Sequence, residues 1–473
     1  MGNLARTVAV SLLVPSLAGT AAAQGLVSGG LLGAAGPVGD VAGDGIDDYV
    51  EGQGALGTNS WQVHDGTTDA VVAYLTKPWA SNDRYFGVGD VDGDGHDDVC
   101  WYRSSTFTST ILSGATGATL LTLANTFTTG GCDLDGDGLA DLLLNTFDAT
   151  GITTWIRSSR TGTPLFQISE TSGSLVFHEL KVMGDENGDG YEDAALITGD
   201  YVFPDTSLLR VVRGPSGLLE PFYTWGAQPC GDVDRDGAAD IALSSTPTFG
   251  GAAAILAGGS HATLWVFPAN LSLQGVGDMD GDGHADFVLD STVVTSGATQ
   301  LTLAGAAPVG LPVLLGDLDG DGRSECRVGL DRYEWLDPAL PIASRMLRRG
   351  VPGTTSSGRK PTIVTRGHCG LGNTVWFDIR GNQPFGLVAF AIGDAANVDL
   401  APLGAPGNAS YTTLLGMQPL IADGFGLAKV TAVMPTTPSL LGAVASVQAA
   451  TFDPAANALG LVTSNAIDVE TRN

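Results

Sequence analysis

Seven short stretches of this 473-residue chain carry carboxylates at a spacing suited to holding a hard cation. Counting the first acid as position one, acids recur at positions three, five and nine, with glycine at six. The full sets are Asp90, Asp92, Asp94 and Asp98; Asp133, Asp135, Asp137 and Asp141; Asp232, Asp234, Asp236 and Asp240; and Asp278, Asp280, Asp282 and Asp286. Three sets depart from the rule. Asp40, Asp44 and Asp48 flank Ala42, which has no oxygen to offer. Asp185, Asn187, Asp189 and Asp193 carry an amide at position three. Asp317, Asp319 and Asp321 end on Glu325. In a tight loop, oxygens at one, three and five converge on one point. Glycine at six permits the turn that brings the carbonyl of position seven inward, and the acid at nine closes the cage. Hard oxygens without nitrogen or sulfur select Ca²⁺ over zinc or copper, so up to seven Ca²⁺ ions are expected. The first and seventh loops are the weakest candidates.

These loops need elements to hold them. They begin 39 to 52 residues apart, and a period in that range marks a repeat architecture. An EF-hand loop starts similarly, but it ends on a Glu at position twelve between two helices. Here the flanks read as strands: residues 85–89 enter the second loop and residues 98–102 leave it. About 20 residues after each loop starts comes a strand, a turn and another strand, as in residues 110–120 and 293–301, usually with glycine in the turn. Each repeat therefore reads as four antiparallel strands, one propeller blade, and seven such blades close into a ring without long exposed edges. In a meander blade, the acidic loop and the later hairpin lie on the same face.

At this point the chain resembles a family. Residues 86–98, Phe-Gly-Val-Gly-Asp-Val-Asp-Gly-Asp-Gly-His-Asp-Asp, are similar to the FG-GAP or VCBS repeat of integrin α-subunit propellers and many secreted bacterial proteins. The resemblance covers roughly residues 30–347. It implies an all-β, seven-bladed β-propeller with calcium-binding loops between the first and second strands of each blade.

The remaining chain sets the context. Residues 1–23 read as a signal peptide, with Arg6, an apolar run over 8–17 and Ala21-Ala22-Ala23. A secreted or cell-surface protein without a membrane span is expected. Residues 24–347 are assigned to the propeller, 348–366 to a basic, Gly/Pro-containing linker, and 367–473 to a small β-sandwich-like domain with alternating apolar strands. That ending is similar to a C-terminal β domain of secreted bacterial proteins. The formal charge is −29, which opposes nucleic acid and anionic membranes. The five cysteines are scattered, so one or two disulfides are open to the exported chain with no pairing readable.

Two function classes follow. The first is a secreted, non-catalytic calcium-binding module for adhesion to an extracellular protein or glycan. It would bind on the face opposite the calcium loops, through connections such as 145–151 and 199–207. The second is a polysaccharide hydrolase or lyase on a propeller scaffold. None of the six histidines lies in a nucleophile motif. His96 and His284 occupy loop position seven, where the side chain is expected to point away. The acids outside the loops, Glu51, Asp83, Glu170, Glu179 and Glu220, include no singled-out catalytic pair. The eight tryptophans are expected to fill spaces between blades, with sugar stacking as the alternative.

Overall fold

The computed structural model describes residues 26–27, 35–53, 60–68, 70–78, 83–148, 151–171, 176–200, 208–223, 227–246, 252–269, 271–289, 293–300, 303, 312–318, 323–328, 331–333, 344–367 and 369–471. The expected signal peptide, Asp319, Asp321, His368, residues 201–207 and 149–150 of the expected partner connections, and Trp79, Trp225 and Trp335 lie outside these residues.

The chain is all-β, built from consecutive antiparallel meanders. The first comprises Ala35–Gly39, Asp48–Gln53, Ser60–His64 and Lys77–Pro78. The second comprises Arg84–Gly89, Asp98–Arg103, Thr108–Leu112 and Thr119–Ala124. Three more four-stranded meanders begin at Thr126, Val176 and Ala227, and a three-stranded one begins at Leu273. The last combines Pro312–Gly316, Glu325–Val328 and Asp331–Tyr333 with Leu26–Val27, which pairs through Leu26 to Tyr333 and Val27 to Arg332. The first strand of each meander touches the first strand of the next, and Pro312–Gly316 touches Ala35–Gly39. The sheets therefore form a ring of propeller type.

Apolar side chains between neighbouring sheets fill this ring. One cluster joins Val38, Val50 and Trp61 of the first meander to Tyr85 and Val99 of the second. Another joins Cys230 and Ile255 to Leu273 and Phe287 of the next. Trp101, Trp155 and Trp265 pack against such clusters, as expected of spacers between sheets. Cys100, Cys132, Cys230 and Cys369 are buried, unbonded thiols in four separate clusters, which leaves no pairing among them.

Residues 344–471 form a second unit. Ser344–Arg349, Leu461–Thr471, Val444–Phe452, Leu387–Gly393 and Gly416–Ile421 make one sheet, in that spatial order. Thr362–Gly367, Thr374–Arg380 and Ala428–Val433 make another. Ile363, Val375 and Phe377 from the second sheet share a core with Val388, Phe390 and Val447 from the first. The segment expected to be a linker carries strand residues at both ends, and Ser344–Arg349 pairs along its length with Ala466–Thr471. Among the described residues, no helix is long and apolar enough to cross a membrane.

Candidate functional site

Every acidic loop joins the first strand of a meander to the second, and in all but the third a register shift falls immediately ahead of the loop. Gly39, Gly89, Gly184, Gly231, Gly277 and Gly316 precede their loops at φ between 69° and 98°. The chain enters the loop through this left-handed residue, a conformation that costs glycine little.

Inside the loop the acids first organise the backbone. Asp90 Oδ1 accepts the amides of Gly93 (2.6 Å) and Asp94 (3.0 Å), and Oδ2 accepts that of Gly95 (2.9 Å). Asp278 repeats the pattern with Gly281, Asp282 and Gly283. The acid at nine ties the loop to the later hairpin. Asp98 Oδ2 accepts Val91 N and Oδ1 accepts Gly114 N at 2.8 Å. Asp48 with Gly66, Asp193 with Gly214, Asp240 with Gly258 and Asp286 with Gly297 make the same hairpin bond. A Cβ on Gly114 would lie 2.1 Å from the Asp97 carbonyl oxygen, so that turn requires glycine. Acidic loop and hairpin thus occupy one face, as the meander reading requires.

The loops also bind one another. The position-eight amide donates to the position-one carbonyl of the preceding loop: Asp97 to Asp40, Ala140 to Asp90, Ala239 to Asp185, Ala285 to Asp232 and Ser324 to Asp278, at 2.7–2.9 Å. Acids at position eight add a second stitch. Asp97 accepts Asp40 N, Glu192 accepts Asp133 N, and Asp47 accepts Asp317 N across the ring closure. The doubled Asp-Asp at 47–48 and 97–98 was the sequence signal for this, but spacing alone assigns a role only to the second acid. His96 and His284 do not simply point away. Each Nδ1 donates to a position-two carbonyl of the preceding loop, Val41 and Val233, at 2.8 and 2.7 Å.

Four loops bring three carboxylates together with oxygens within 4.8 Å of one another: Asp90, Asp92 and Asp94; Asp133, Asp135 and Asp141; Asp232, Asp234 and Asp240; Asp278, Asp280 and Asp282. Burial, with facing carboxylates, pushes Asp98 up to about 8 and Asp286 up to about 9, and it raises Asp141 strongly. A buried convergent set of acids stays ionised only with a cation to offset it. All-oxygen donors at this spacing fit a hard divalent ion. In the third loop Asp137 turns instead to Arg160 Nε.

The fourth loop is arranged differently. Arg366 Nε lies 3.1 Å from Asp185 Oδ2, and Arg213 lies 3.7 Å from Asp193 Oδ2. Asn187 Nδ2 donates to Asp189 Oδ2 at 2.9 Å. Glu186, at a position-two site that is apolar in the other loops, is fully buried between Arg213 and His261 Nε2 (2.8 Å). In the first loop Ala42 has no side-chain oxygen, and its amide donates to Asp48 Oδ2 at 2.6 Å. In the seventh, Glu325 accepts Leu318 N, the bond made elsewhere by the position-nine aspartate.

Residues 344–471 lie over this face. Arg366, Arg380 and Trp376 sit on one strand pair there, with Arg380 bonded to Glu192 at 3.1 Å and to Gly190 O at 2.9 Å. Tyr191 donates to Asp423 at 3.0 Å. A cavity of about 500 Å³ remains at this seam, lined by Asp189, Tyr191, Asp423, Phe425 and Lys429. Of the acids outside the loops, Glu51 lies 3.6 Å from His64, Asp83 accepts Ser104 N, and Glu179 pairs with Lys181 at 3.2 Å. Glu170 and Glu220 have side chains outside the described ones.

No family model matches the chain, and no curated protein does. Among solved structures, the chain is similar to a prolyl endopeptidase at 15% identity and TM-score 0.41, covering 73% of this chain and 53% of that one. It is similar to the Dos1 propeller at 9% identity and TM-score 0.37, covering 62% and 75%. It is similar to BamB from Moraxella catarrhalis at 11% identity and TM-score 0.32, covering 95% and 100%. The ring arrangement rests on the strand pairings and sheet-to-sheet contacts described above, not on these likenesses.

Proposed function

We propose that this chain is a secreted, seven-bladed calcium-binding β-propeller of FG-GAP/VCBS type that serves as a non-catalytic binding or adhesion module for an extracellular protein or glycan. One observation carries the reading: carboxylate oxygens gather within 4.8 Å of one another in four loops of the same spacing. The four full loops are the calcium sites of this proposal. The first is a weaker site because Ala42 supplies no ligand. In the fourth, Arg366, which also pairs with Asp378, and Arg213, which also pairs with Glu186, stand beside Asp185 and Asp193 and compete with an ion. The seventh rests on Asp317 and Glu325 with Asp319 and Asp321. When bound, the ion supplies the positive charge that lets the buried carboxylates remain ionised. The protein's own part is to aim them, through the amide bonds at positions one and nine.

Partner recognition belongs to the face opposite the acidic loops, because residues 344–471 already cover the loop face. Connections on that opposite face vary in length while the loops do not, and variable loops on a rigid scaffold are where recognition usually resides. The experiment is calcium titration of the mature protein by calorimetry and native mass spectrometry. Four or more bound ions are expected. No binding at millimolar Ca²⁺ would remove the proposal.

A further inference from the structure

The unit of residues 344–471 touches the acidic loops mainly at one kind of surface, the outward-facing peptide groups of positions four to six. Lys360 Nζ donates to Gly93 O (2.5 Å), and Lys360 N donates to Asp137 O (3.1 Å). Gly381 N donates to Gly136 O at 2.8 Å. Arg380 Nε donates to Gly190 O (2.9 Å) and Arg366 to Gly237 O (2.5 Å). These acceptors belong to loops two, three, four and five. The position-six glycines are where the unit comes closest. A Cβ on Gly45 would meet Arg348 O at 2.0 Å, on Gly95 Val351 at 2.9 Å, and on Gly138 Lys360 O at 1.8 Å. On Gly190 it would meet Lys429 at 2.7 Å, and on Gly237 the Trp376 ring at 3.0 Å. The position-six glycine therefore has two uses: it turns the loop, and it leaves room for the unit above.

We propose that this unit is a metal-dependent clasp, which docks on the carbonyl surface that the cations hold in shape. The inference rests on the calcium reading. Each loop has an inner side of carboxylates and an outer side of carbonyls, joined by the same few peptide units. In loops two, three and five a cation inside holds the carboxylates together, and the outer carbonyls then lie where Lys360, Gly381 and Arg366 reach them. Without it, buried like charges repel and the turn opens, so the docking surface loses its geometry. Binding of the ion and docking of the unit favour each other by linkage. Simple charge attraction makes the opposite prediction. Six of the unit's eight Lys and Arg residues (Arg348, Arg359, Lys360, Arg366, Arg380 and Lys429) face the loops. Removing Ca²⁺ makes the loops more negative, so attraction alone would tighten the contact. The contacts favour the clasp, since two of them are bonds from backbone amides, which depend on position more than on charge.

Hydrogen exchange on the full mature chain, with Ca²⁺ or with EDTA, tests this while native mass spectrometry counts bound ions. The clasp requires the Lys360 and Gly381 amides to exchange at least about tenfold faster after chelation, with Val444–Phe452 still protected. Unchanged or increased protection at 360 and 381, with the ions gone, overturns the clasp and leaves the calcium reading standing. If no ions bind in the first place, both fall. If chelation unfolds the whole chain, a second measurement decides. Lys360→Gln, folded by circular dichroism, should bind Ca²⁺ at least about fivefold more weakly by linkage. Unchanged affinity in that variant overturns the clasp.

Discussion

The second and fourth acidic loops share one spacing and one backbone turn, yet different groups stand against their charge. In the second, Asp90, Asp92 and Asp94 converge, and the nearest basic side chain in an ion pair, Arg348, approaches Asp90 only to 3.9 Å. In the fourth, an amide replaces the third-position acid, Arg366 comes within 3.1 Å of Asp185, and Arg213 stands beside Asp193. The spacing specifies a turn in both. The neighbours differ: guanidinium groups stand beside the acids of the fourth loop, a place the proposed reading gives to a free ion in the second. Under the proposed calcium reading, an acidic loop motif therefore does not by itself define a site in this chain.

The largest test removes the ion altogether. At about ten times Kd, one site contributes roughly 1.4 kcal/mol, so four contribute on the order of 6 kcal/mol. Chelation at pH 8 should lower the melting temperature by on the order of 10–20 °C, measured by calorimetry. A drop of a degree or two would mean that protein cations offset the second loop as well as the fourth.

Next comes pH. In the metal-free protein, burial first and then facing carboxylates raise Asp98 to about 8, Asp240 to about 7 and Asp286 to about 9. Between the unfolded carboxylate range and those values, the folded state binds more protons than the unfolded one. Stability therefore falls as pH rises through that window. Metal-free protein should melt higher at pH 5 than at pH 8, and the difference should shrink in Ca²⁺. The reverse order in EDTA would contradict the buried, uncompensated carboxylates.

Exchanging the loops' features sharpens the contrast. Asp92→Asn should cost the second loop about tenfold or more in affinity, because charged-ligand count sets calcium affinity. Asn187→Asp alone should add no ion, whereas Asn187→Asp with Arg366→Gln should add one, read by native mass spectrometry. If Asn187→Asp alone adds an ion, Arg366 is not the fourth loop's counter-charge. The smallest effect belongs to Ala42→Asp, which should strengthen the first loop severalfold by supplying the missing oxygen. Equal affinities before and after would refute the ligand-count argument there.

Much of this was readable from residue types alone. The acids, their glycines and the flanking apolar strands recur because a turn and a sheet demand particular side chains. Gly114 and its counterparts were visible as turn residues, although their bond to the position-nine acid was not. The loop-to-loop stitches at Asp97 and Glu192 escaped because one extra acid beside another looks like surface charge. Docking of residues 344–471 escaped for a deeper reason. Its acceptors are carbonyls, which every residue has, so Gly136 or Gly190 carries no signature of being read from above. The only trace was the cluster of basic residues at 348–360, which resembles a polar connector. The fourth loop's arginines were equally hidden, since Arg213 and Arg366 are distant from it in sequence.

The pairing of Leu26–Val27 with Asp331–Tyr333 sets an order on how the chain can mature. The last sheet draws on residues some three hundred positions apart, so its edge cannot be completed until Tyr333 has been made. At roughly 5–20 residues per second, the first strand waits tens of seconds for its mate. Until then Leu26–Val27 has no partner, and the ring is an open arc exposed to pairing with other chains. Ring closure is the late, non-local event in this protein's folding, and a nascent chain cut short before residue 331 has no means of reaching it.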